Sequence, residues 1–251
     1  MNAFFSDLDN TLIFSHRRRI RGSRIPVEKL DGKEQSYMTE HAFSFFQHTD
    51  WFSLIPVTTR SEKQYRRLLL PEAFRIQYAL ICNGGKLLVQ GMENREWSEE
   101  TEETVRKDLP ELKELGEQLQ HLCGHEIHHP ESYYCYAKTE WPERICETLK
   151  DRNRESNILI ANDRHKVYLF PQSINKGSAV RRFAKNHEIN ISIGAGDGIM
   201  DIPMLNEVDY PLAPEPVCGL ICNPNTRQLT GEIFSDQICD ELEIFHLQGI
   251  I

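Results

Sequence analysis

Long apolar segments are absent from this sequence. None of its apolar runs approaches the roughly 18 residues that a membrane-spanning helix needs. The short apolar start Ala3–Phe5 leads directly to two aspartates, and no basic segment precedes it as in a signal peptide. We therefore expect a protein that neither spans a membrane nor carries an export signal.

The sequence also has few cysteines and no excess of positive charge. Its seven cysteines are scattered and odd in number, which indicates reduced thiols in the cytoplasm rather than a disulfide framework. Acidic residues outnumber basic ones by 38 to 29, and the net charge of −9 argues against general binding of nucleic acid. With 251 residues, 39% hydrophobic and 27% charged, the chain suits one or two globular domains.

Short apolar segments alternate with helical patterns in the first and last parts of the chain. We predict buried strands over residues 3–6, 52–58, 78–82, 189–193 and 210–213, and helices over 38–48, 62–69 and from 176 onward. This alternation is typical of a doubly wound, Rossmann-like α/β fold with a parallel sheet. Ligands of such folds bind at the carboxyl ends of the strands.

Residues 84–171 interrupt this alternation. They combine an acidic helical stretch over 98–122, in which Asp108 and Glu111 have the spacing of a capping box, with three predicted strands after residue 132. The sequence therefore predicts a core domain of residues 1–83 and 172–251. A smaller α+β domain, residues 84–171, is inserted between the two parts of the core.

Four aspartates lie at or just beyond the ends of predicted core strands. Asp7 and Asp9 follow the first strand, while Asp197 and Asp201 follow the strand over 189–193. A carboxylate can attack phosphorus and form an aspartyl phosphate, which is the role we assign to Asp7. Asp9 suits a general acid and then a general base, and crowding by the other carboxylates favours its protonated form. This concentration of negative charge beside a phosphate requires a cation, and Mg²⁺ prefers such ligands.

Four segments of the sequence resemble the motifs of the haloacid dehalogenase superfamily. In chain order they are Asp7-Leu8-Asp9-Asn10-Thr11-Leu12, Val57-Thr58-Thr59-Arg60, Asn175-Lys176-Gly177 and Gly196-Asp197-Gly198-Ile199-Met200-Asp201. The insert between the second and third segments resembles the α/β (C2-type) cap of the Cof-type and sucrose-phosphatase-like phosphatases. The resemblance implies a phosphatase with a cap that selects the substrate.

The resemblance also implies roles for individual residues. Mg²⁺ would be held by the side chains of Asp7 and Asp197 and by the backbone carbonyl of Asp9. Asp201 would be either a further ligand or an acid that lies behind the ligands. The substrate would be bound by Thr58, Thr59, Arg60 and Lys176. Two positions depart from the family: Met200 stands where asparagine is common, and Thr59 where glycine is common.

Three functions are compatible with these motifs. The first is a Mg²⁺-dependent phosphatase that hydrolyses a small phosphorylated metabolite, such as a sugar phosphate, through an aspartyl phosphate. The second is a non-catalytic protein that binds a phosphorylated metabolite and regulates other processes. The third is a phosphotransferase or mutase, which would keep both acids of the first motif.

A basic cluster follows the first motif within residues 15–35, where we predict a loop or hairpin. It consists of Arg17, Arg18, Arg19, Arg21 and Arg24. One interpretation is a solvated loop. The other is a contact with a second anionic group of the substrate, since arginine binds carboxylates and phosphates in a bidentate manner.

The second interpretation predicts a substrate-dependent effect of neutralising this cluster. Replacing Arg17, Arg18 and Arg19 by glutamine is expected to raise KM about tenfold for phosphate esters that carry a second anion, equivalent to about 1.4 kcal/mol. The KM for p-nitrophenyl phosphate, which has no second anion, is expected to stay unchanged. Equal effects on both substrates, or no effect on either, would support the solvated loop.

Overall fold

The computed structural model describes residues 1–251, which form fifteen strands and ten α-helices. The strands are β1 (Asn2–Ser6), β2 (Phe14–Ser15), β3 (Arg24–Leu30), β4 (Lys33–Thr39), β5 (Ser53–Pro56), β6 (Tyr78–Ile81), β7 (Lys86–Val89), β8 (Met92–Glu93), β9 (His128–Glu131), β10 (Tyr134–Lys138), β11 (Ile158–Asp163), β12 (Lys166–Pro171), β13 (Ile191–Ala195), β14 (Tyr210–Pro214) and β15 (Arg227–Leu229). The helices are α1 (Glu40–His48), α2 (Glu62–Tyr65), α3 (Leu70–Ala73), α4 (Arg95–Val105), α5 (Leu109–Cys123), α6 (Pro142–Arg152), α7 (Lys176–Asn186), α8 (Ile202–Leu205), α9 (Glu215–Cys218) and α10 (Phe234–Leu247).

A five-stranded parallel sheet with the order β15-β14-β13-β1-β5 forms the core. Successive side chains of the central strand β1 point to opposite faces. Phe4 therefore stacks on Phe46 of α1, with 6.0 Å between ring centroids, while Phe5 meets Phe183 of α7 edge-on at 5.9 Å. Helices cover both faces of the sheet, which confirms the predicted doubly wound α/β core.

The predicted strand over 78–82 was expected in the parallel core sheet but pairs mainly elsewhere. It forms β6, which belongs to a small antiparallel sheet with the order β6-β7-β8. A single parallel bridge, between Val57 and Leu80, joins it to the chain that follows β5. The hairpin β6–β7 thus extends the core sheet edge without adding a full parallel strand.

The basic segment after the first motif is part of an antiparallel sheet with the order β2-β4-β3. The prediction of a helix from Met38 is wrong at its start, because residues 33–39 form β4. Helix α1 begins at Glu40, where the Thr39 side chain accepts a hydrogen bond from the N–H of Ala42 at 3.1 Å. The N-cap therefore sets the boundary between strand and helix.

By its internal contacts the chain divides into two units, residues 1–94 with 176–251, and residues 95–175. The hairpin β7–β8 therefore groups with the first unit, although the sequence places it in the insert. The second unit contains the antiparallel sheet β11-β12-β10-β9. Its helices α5 and α6 pack on this sheet through a buried apolar cluster that includes Leu119, Leu149 and Leu169.

The capping-box prediction at the start of α5 is wrong. Asp108 has helical backbone angles, with φ −93° and ψ −11°, and its side chain makes no capping hydrogen bond. A side-chain N-cap needs an extended backbone at that residue. Residues 106–108 instead form a 3₁₀ turn that leads directly into α5.

None of the helices in the structure has the length and apolar character needed to cross a bilayer.

Two leucines of α10 provide a test of the core packing. Leu242 is fully buried, whereas Leu247 is 85% exposed. Leu242→Ala is expected to lower the free energy of unfolding by about 2–5 kcal/mol, because it leaves a cavity. Leu247→Ala is expected to change it by less than about 0.5 kcal/mol. Urea unfolding followed by circular dichroism measures both values, and equal losses would contradict the packing of α10 described above.

Candidate active site

Asp7 lies at the carboxyl edge of the core sheet, directly after β1. Its backbone N–H donates to the carbonyl of Ala195 at the end of β13, at 2.9 Å, and the neighbouring Ser6 carbonyl accepts from Val57, which follows β5, at 2.7 Å. Asp7 is therefore held between the two strands that flank β1. The loop over residues 8–13 is compact, with the N–H groups of residues 11–13 all directed to the Leu8 carbonyl.

Lys176 opens α7 and is almost fully buried, at 2% exposure. Its Nζ donates to Oδ1 of Asp7 at 2.5 Å and to Oδ1 of Asp201 at 2.6 Å. The next residue is Gly177, and a Cβ there would lie 2.3 Å from the carbonyl oxygen of Pro203. Glycine thus lets α7 approach α8 closely, which brings the lysine to the loop that carries Asp201.

The loop after β13 presents Asp197 and Asp201 to the same edge. Asp201 Oδ2 accepts the backbone N–H of Gly198 at 2.9 Å, and Asp197 Oδ1 accepts the hydroxyl of Thr11 at 3.2 Å. Asp7, Asp197 and Asp201 each place a carboxylate oxygen within 4.8 Å of the others. The structure therefore brings together four of the predicted site residues, including Lys176, from three distant parts of the sequence.

Burial and charge oppose each other in this cluster. Burial raises the pKa of Asp7 well above its usual value. The charge of Lys176 lowers this pKa in part, whereas the neighbouring carboxylates raise it. Burial alone would lower the pKa of Lys176. The charges of Asp201 and Asp7 outweigh this effect, so the pKa of Lys176 lies above its usual value and the ammonium stays charged. A bound cation would favour the ionised Asp7 in the same way as the lysine does.

Thr58 and Thr59 follow β5. Thr58 is 1% exposed, its backbone N–H donates to Leu80 at 2.9 Å and its carbonyl accepts from Asn83 at 2.9 Å. Its hydroxyl oxygen accepts the N–H of Arg60 at 3.2 Å, while Thr59 is half-buried. The loop is thus fixed to the end of β6, and the substrate contacts assigned to both threonines remain predictions.

Arg60 has a partner that the sequence reasoning missed. Its Nε donates to Asp9 Oδ2 at 2.8 Å and its Nη2 to Asp9 Oδ1 at 2.9 Å, which makes a bidentate ion pair. Burial alone would lower the pKa of Arg60, but Asp9 and Glu28 raise it. The sequence reasoning considered only the carboxylates near Asp9 and not this guanidinium. No local pattern links residues 9 and 60, so only the fold reveals the contact.

The three clustered aspartates fit a Mg²⁺ ion. Mg²⁺ prefers carboxylate oxygens, and these three aspartates each offer one oxygen within 4.8 Å of the others. Because Arg60 balances Asp9, the remaining three carboxylates and one ammonium carry a formal charge of −2. A divalent cation neutralises this charge.

Comparison with known proteins agrees with the motifs. The chain belongs to the haloacid dehalogenase-like hydrolase family, whose model matches residues 40–214. This membership confirms the resemblance drawn from the sequence. No curated protein sequence matches the chain.

Solved structures with a similar fold cover almost the whole chain. The sucrose-phosphatase of Synechocystis sp. PCC6803, solved with sucrose and phosphate, is 15% identical with a TM-score of 0.61, and the match covers 98% of each chain. A sugar phosphatase of subclass IIB of the superfamily is 14% identical with a TM-score of 0.62 over 100% of each chain. A superfamily phosphatase from Bacteroides thetaiotaomicron is 13% identical with a TM-score of 0.58, covering 98% of this chain and 95% of its own. At these identities the likeness is one of fold.

Removing the buried ammonium tests the charge balance of the site. Lys176→Met is expected to lower the free energy of unfolding by about 3–5 kcal/mol at pH 8 in EDTA, because it leaves two buried carboxylates uncompensated. The folded pKa of Asp7 lies above the unfolded one, so the folded state holds a proton that the unfolded chain releases as the pH rises above about 3.8. Without Lys176 the folded pKa of Asp7 rises further. The loss of unfolding free energy caused by Lys176→Met is therefore expected to be smaller at pH 5 than at pH 8.

Lys185→Met, at an exposed position of the same helix, is the control and is expected to change the stability by less than about 0.5 kcal/mol. Urea unfolding at the two pH values gives both differences. A loss for Lys176→Met that does not depend on pH would contradict the proposed coupling to the carboxylates.

Proposed function

We propose that the chain is a Mg²⁺-dependent phosphatase that hydrolyses a small phosphorylated metabolite through an aspartyl phosphate on Asp7. The observation that carries this proposal is the cluster of Asp7, Asp197 and Asp201 at the sheet edge, with the buried Lys176 bonded to Asp7 and Asp201. A carboxylate nucleophile, a cation that offsets its charge and further acids suited to Mg²⁺ are the groups that phosphoryl transfer to an enzyme requires.

In the first step an Asp7 carboxylate oxygen attacks phosphorus, the new O–P bond forms and the bond to the leaving oxygen breaks. Asp9 supplies the proton to that oxygen. In the second step Asp9 takes a proton from water, which attacks the phosphorus and releases phosphate and the Asp7 carboxylate. Before the first step Asp9 carries a proton on one oxygen, while its other oxygen keeps a hydrogen bond from Arg60.

The remaining assignments concern binding. Lys176, Thr58, Thr59 and Arg60 bind the substrate, the first two at its phosphoryl oxygens. The side chains of Asp7, Asp197 and Asp201 and the backbone carbonyl of Asp9 would hold Mg²⁺, which would supply positive charge to the transferring phosphoryl group. A sugar phosphate is the substrate class we favour, since structures of the same fold include a sucrose-phosphatase and a sugar phosphatase. Seven free thiols support a cytoplasmic location.

A panel of phosphate esters, assayed with Mg²⁺ and with EDTA, tests this proposal. Phosphate release is expected with Mg²⁺ and is expected to be lost in EDTA. Asp7→Asn is expected to abolish turnover in a folded protein, because an amide does not form the phosphoaspartate, and beryllium fluoride is expected to inhibit the wild type. Asp209→Asn, which alters an aspartate bonded to Ser192 outside the cluster, is the control.

Other outcomes of the phosphate-ester assay would favour the two alternative functions. Binding of esters without turnover would favour the non-catalytic protein, and transfer of phosphate to an added sugar would favour the phosphotransferase. Steady-state activity in a folded Asp7→Asn protein would refute Asp7 as the nucleophile.

A further inference from the structure

Glu28 is a charged residue buried at 2% exposure on β3 of the antiparallel sheet β2-β4-β3. Side chains of a regular strand alternate between faces, but Val27 and Glu28 are both buried. The pairing of β3 with β4 shifts register on each side of Glu28, as at a β-bulge. Such an irregularity redirects a side chain, and here it turns a carboxylate into the protein.

Four donor groups surround this carboxylate. Oε1 accepts from Nε and Nη2 of Arg67 at 3.0 and 2.9 Å, while Oε2 accepts from the hydroxyl of Ser36 at 2.7 Å and from Nη1 of Arg60 at 3.0 Å. A buried carboxylate is tolerated only when charged and polar partners replace its water. Glu28 therefore has a complete set of partners, and one of them also contacts the candidate active site.

Arg60 connects Glu28 to Asp9. Nη1 of its guanidinium faces Glu28, while Nε and Nη2 face Asp9. The Arg60 side chain is 10% exposed and that of Asp9 is 44% exposed. A guanidinium is planar and rigid, so fixing one edge on a buried carboxylate orients the other edge. The half-exposed Asp9 carboxylate thereby takes its orientation from a residue of another sheet.

The backbone holds Glu28 in place independently of these ion pairs. The N–H of Leu69 donates to the Val27 carbonyl at 2.9 Å, and Glu28 and Leu68 form an antiparallel bridge. Strand β3 is thus attached to the segment between α2 and α3. A change of the Glu28 side chain alone leaves these backbone contacts intact.

We propose that Glu28 is a positioning residue, which holds Arg60 so that the guanidinium keeps the Asp9 carboxylate in the orientation needed for proton transfer to the leaving oxygen. This inference rests on the proposed role of Asp9 as the general acid. Nothing in the local sequence marks Glu28, because its partners lie at residues 36, 60 and 67. It acts through Arg60 and does not itself touch the substrate.

A pair of aryl phosphates separates positioning from stability. Phenyl phosphate and p-nitrophenyl phosphate share a ring, but only the poorer leaving group, phenolate, depends strongly on protonation. General acid catalysis contributes about 10²- to 10⁴-fold. Glu28→Gln is expected to lower kcat/KM for phenyl phosphate about tenfold more than kcat/KM for p-nitrophenyl phosphate. An unchanged ratio of the two values in a folded Glu28→Gln protein would overturn the proposal.

Matched variants exclude a general effect on structure. Glu34→Gln makes the same charge change at an exposed position of β4 and is expected to leave the ratio unchanged. Arg67→Met removes the other arginine from Glu28 and is expected to lower the melting temperature without changing the ratio. If Glu28→Gln fails to fold, Ser36→Ala replaces it as the test. This variant removes one hydrogen bond to Glu28 Oε2, the oxygen that Arg60 also contacts. It is expected to lower the ratio of kcat/KM for phenyl phosphate to kcat/KM for p-nitrophenyl phosphate by about twofold to threefold. No change of the ratio in that variant would then overturn the proposal.

Asp9→Asn distinguishes this proposal from the one on which it rests. A lowered ratio in Asp9→Asn with an unchanged ratio in Glu28→Gln would refute the positioning role alone. An unchanged ratio in Asp9→Asn would refute the general acid itself, and the role of Glu28 with it.

Discussion

The buried ammonium of Lys176, held between Asp7 and Asp201, is the interaction on which the site depends. It joins the end of β1, the start of α7 and the loop after β13, which are far apart in the sequence. A buried ion pair of this kind is weak evidence for stability, because desolvation of the charges offsets much of their attraction. Its value lies in geometry, since it fixes the nucleophile candidate relative to the other two acids.

The acids at the sheet edge form two groups with different counterions. Asp7 and Asp201 pair with Lys176 and lie close to Asp197, whereas Asp9 pairs with Arg60. The first group retains negative charge and suits a metal ion. The second is locally neutral and is bonded through Arg60 to a separate sheet. Two aspartates that are only two residues apart thus have different counterions, Lys176 for Asp7 and Arg60 for Asp9.

Much of the core and the acid cluster could be predicted from the sequence, because parallel strands place their carboxyl ends at one edge. Asp7, Thr58 and Asp197 each follow a short apolar strand, and that pattern is local. The contact between Arg60 and Asp9 could not be predicted in this way, since a pair separated by 51 residues leaves no periodic signal. The same holds for Glu28, whose burial depends on a bulge. Errors at Met38 and Asp108 arose where a strand or a 3₁₀ turn overrode a local helix signal.

The position of the second unit within the chain has a consequence for biosynthesis. Strand β1 pairs with β5, about 50 residues later, but its other neighbour, β13, begins only at Ile191. A chain emerging from the ribosome therefore completes the four strands of residues 128–171 while one edge of β1 still lacks its partner. Contacts between distant residues form slowly, and unpaired edges attract other chains. The apolar strand β1 thus keeps one unpaired edge until β13 has been synthesised.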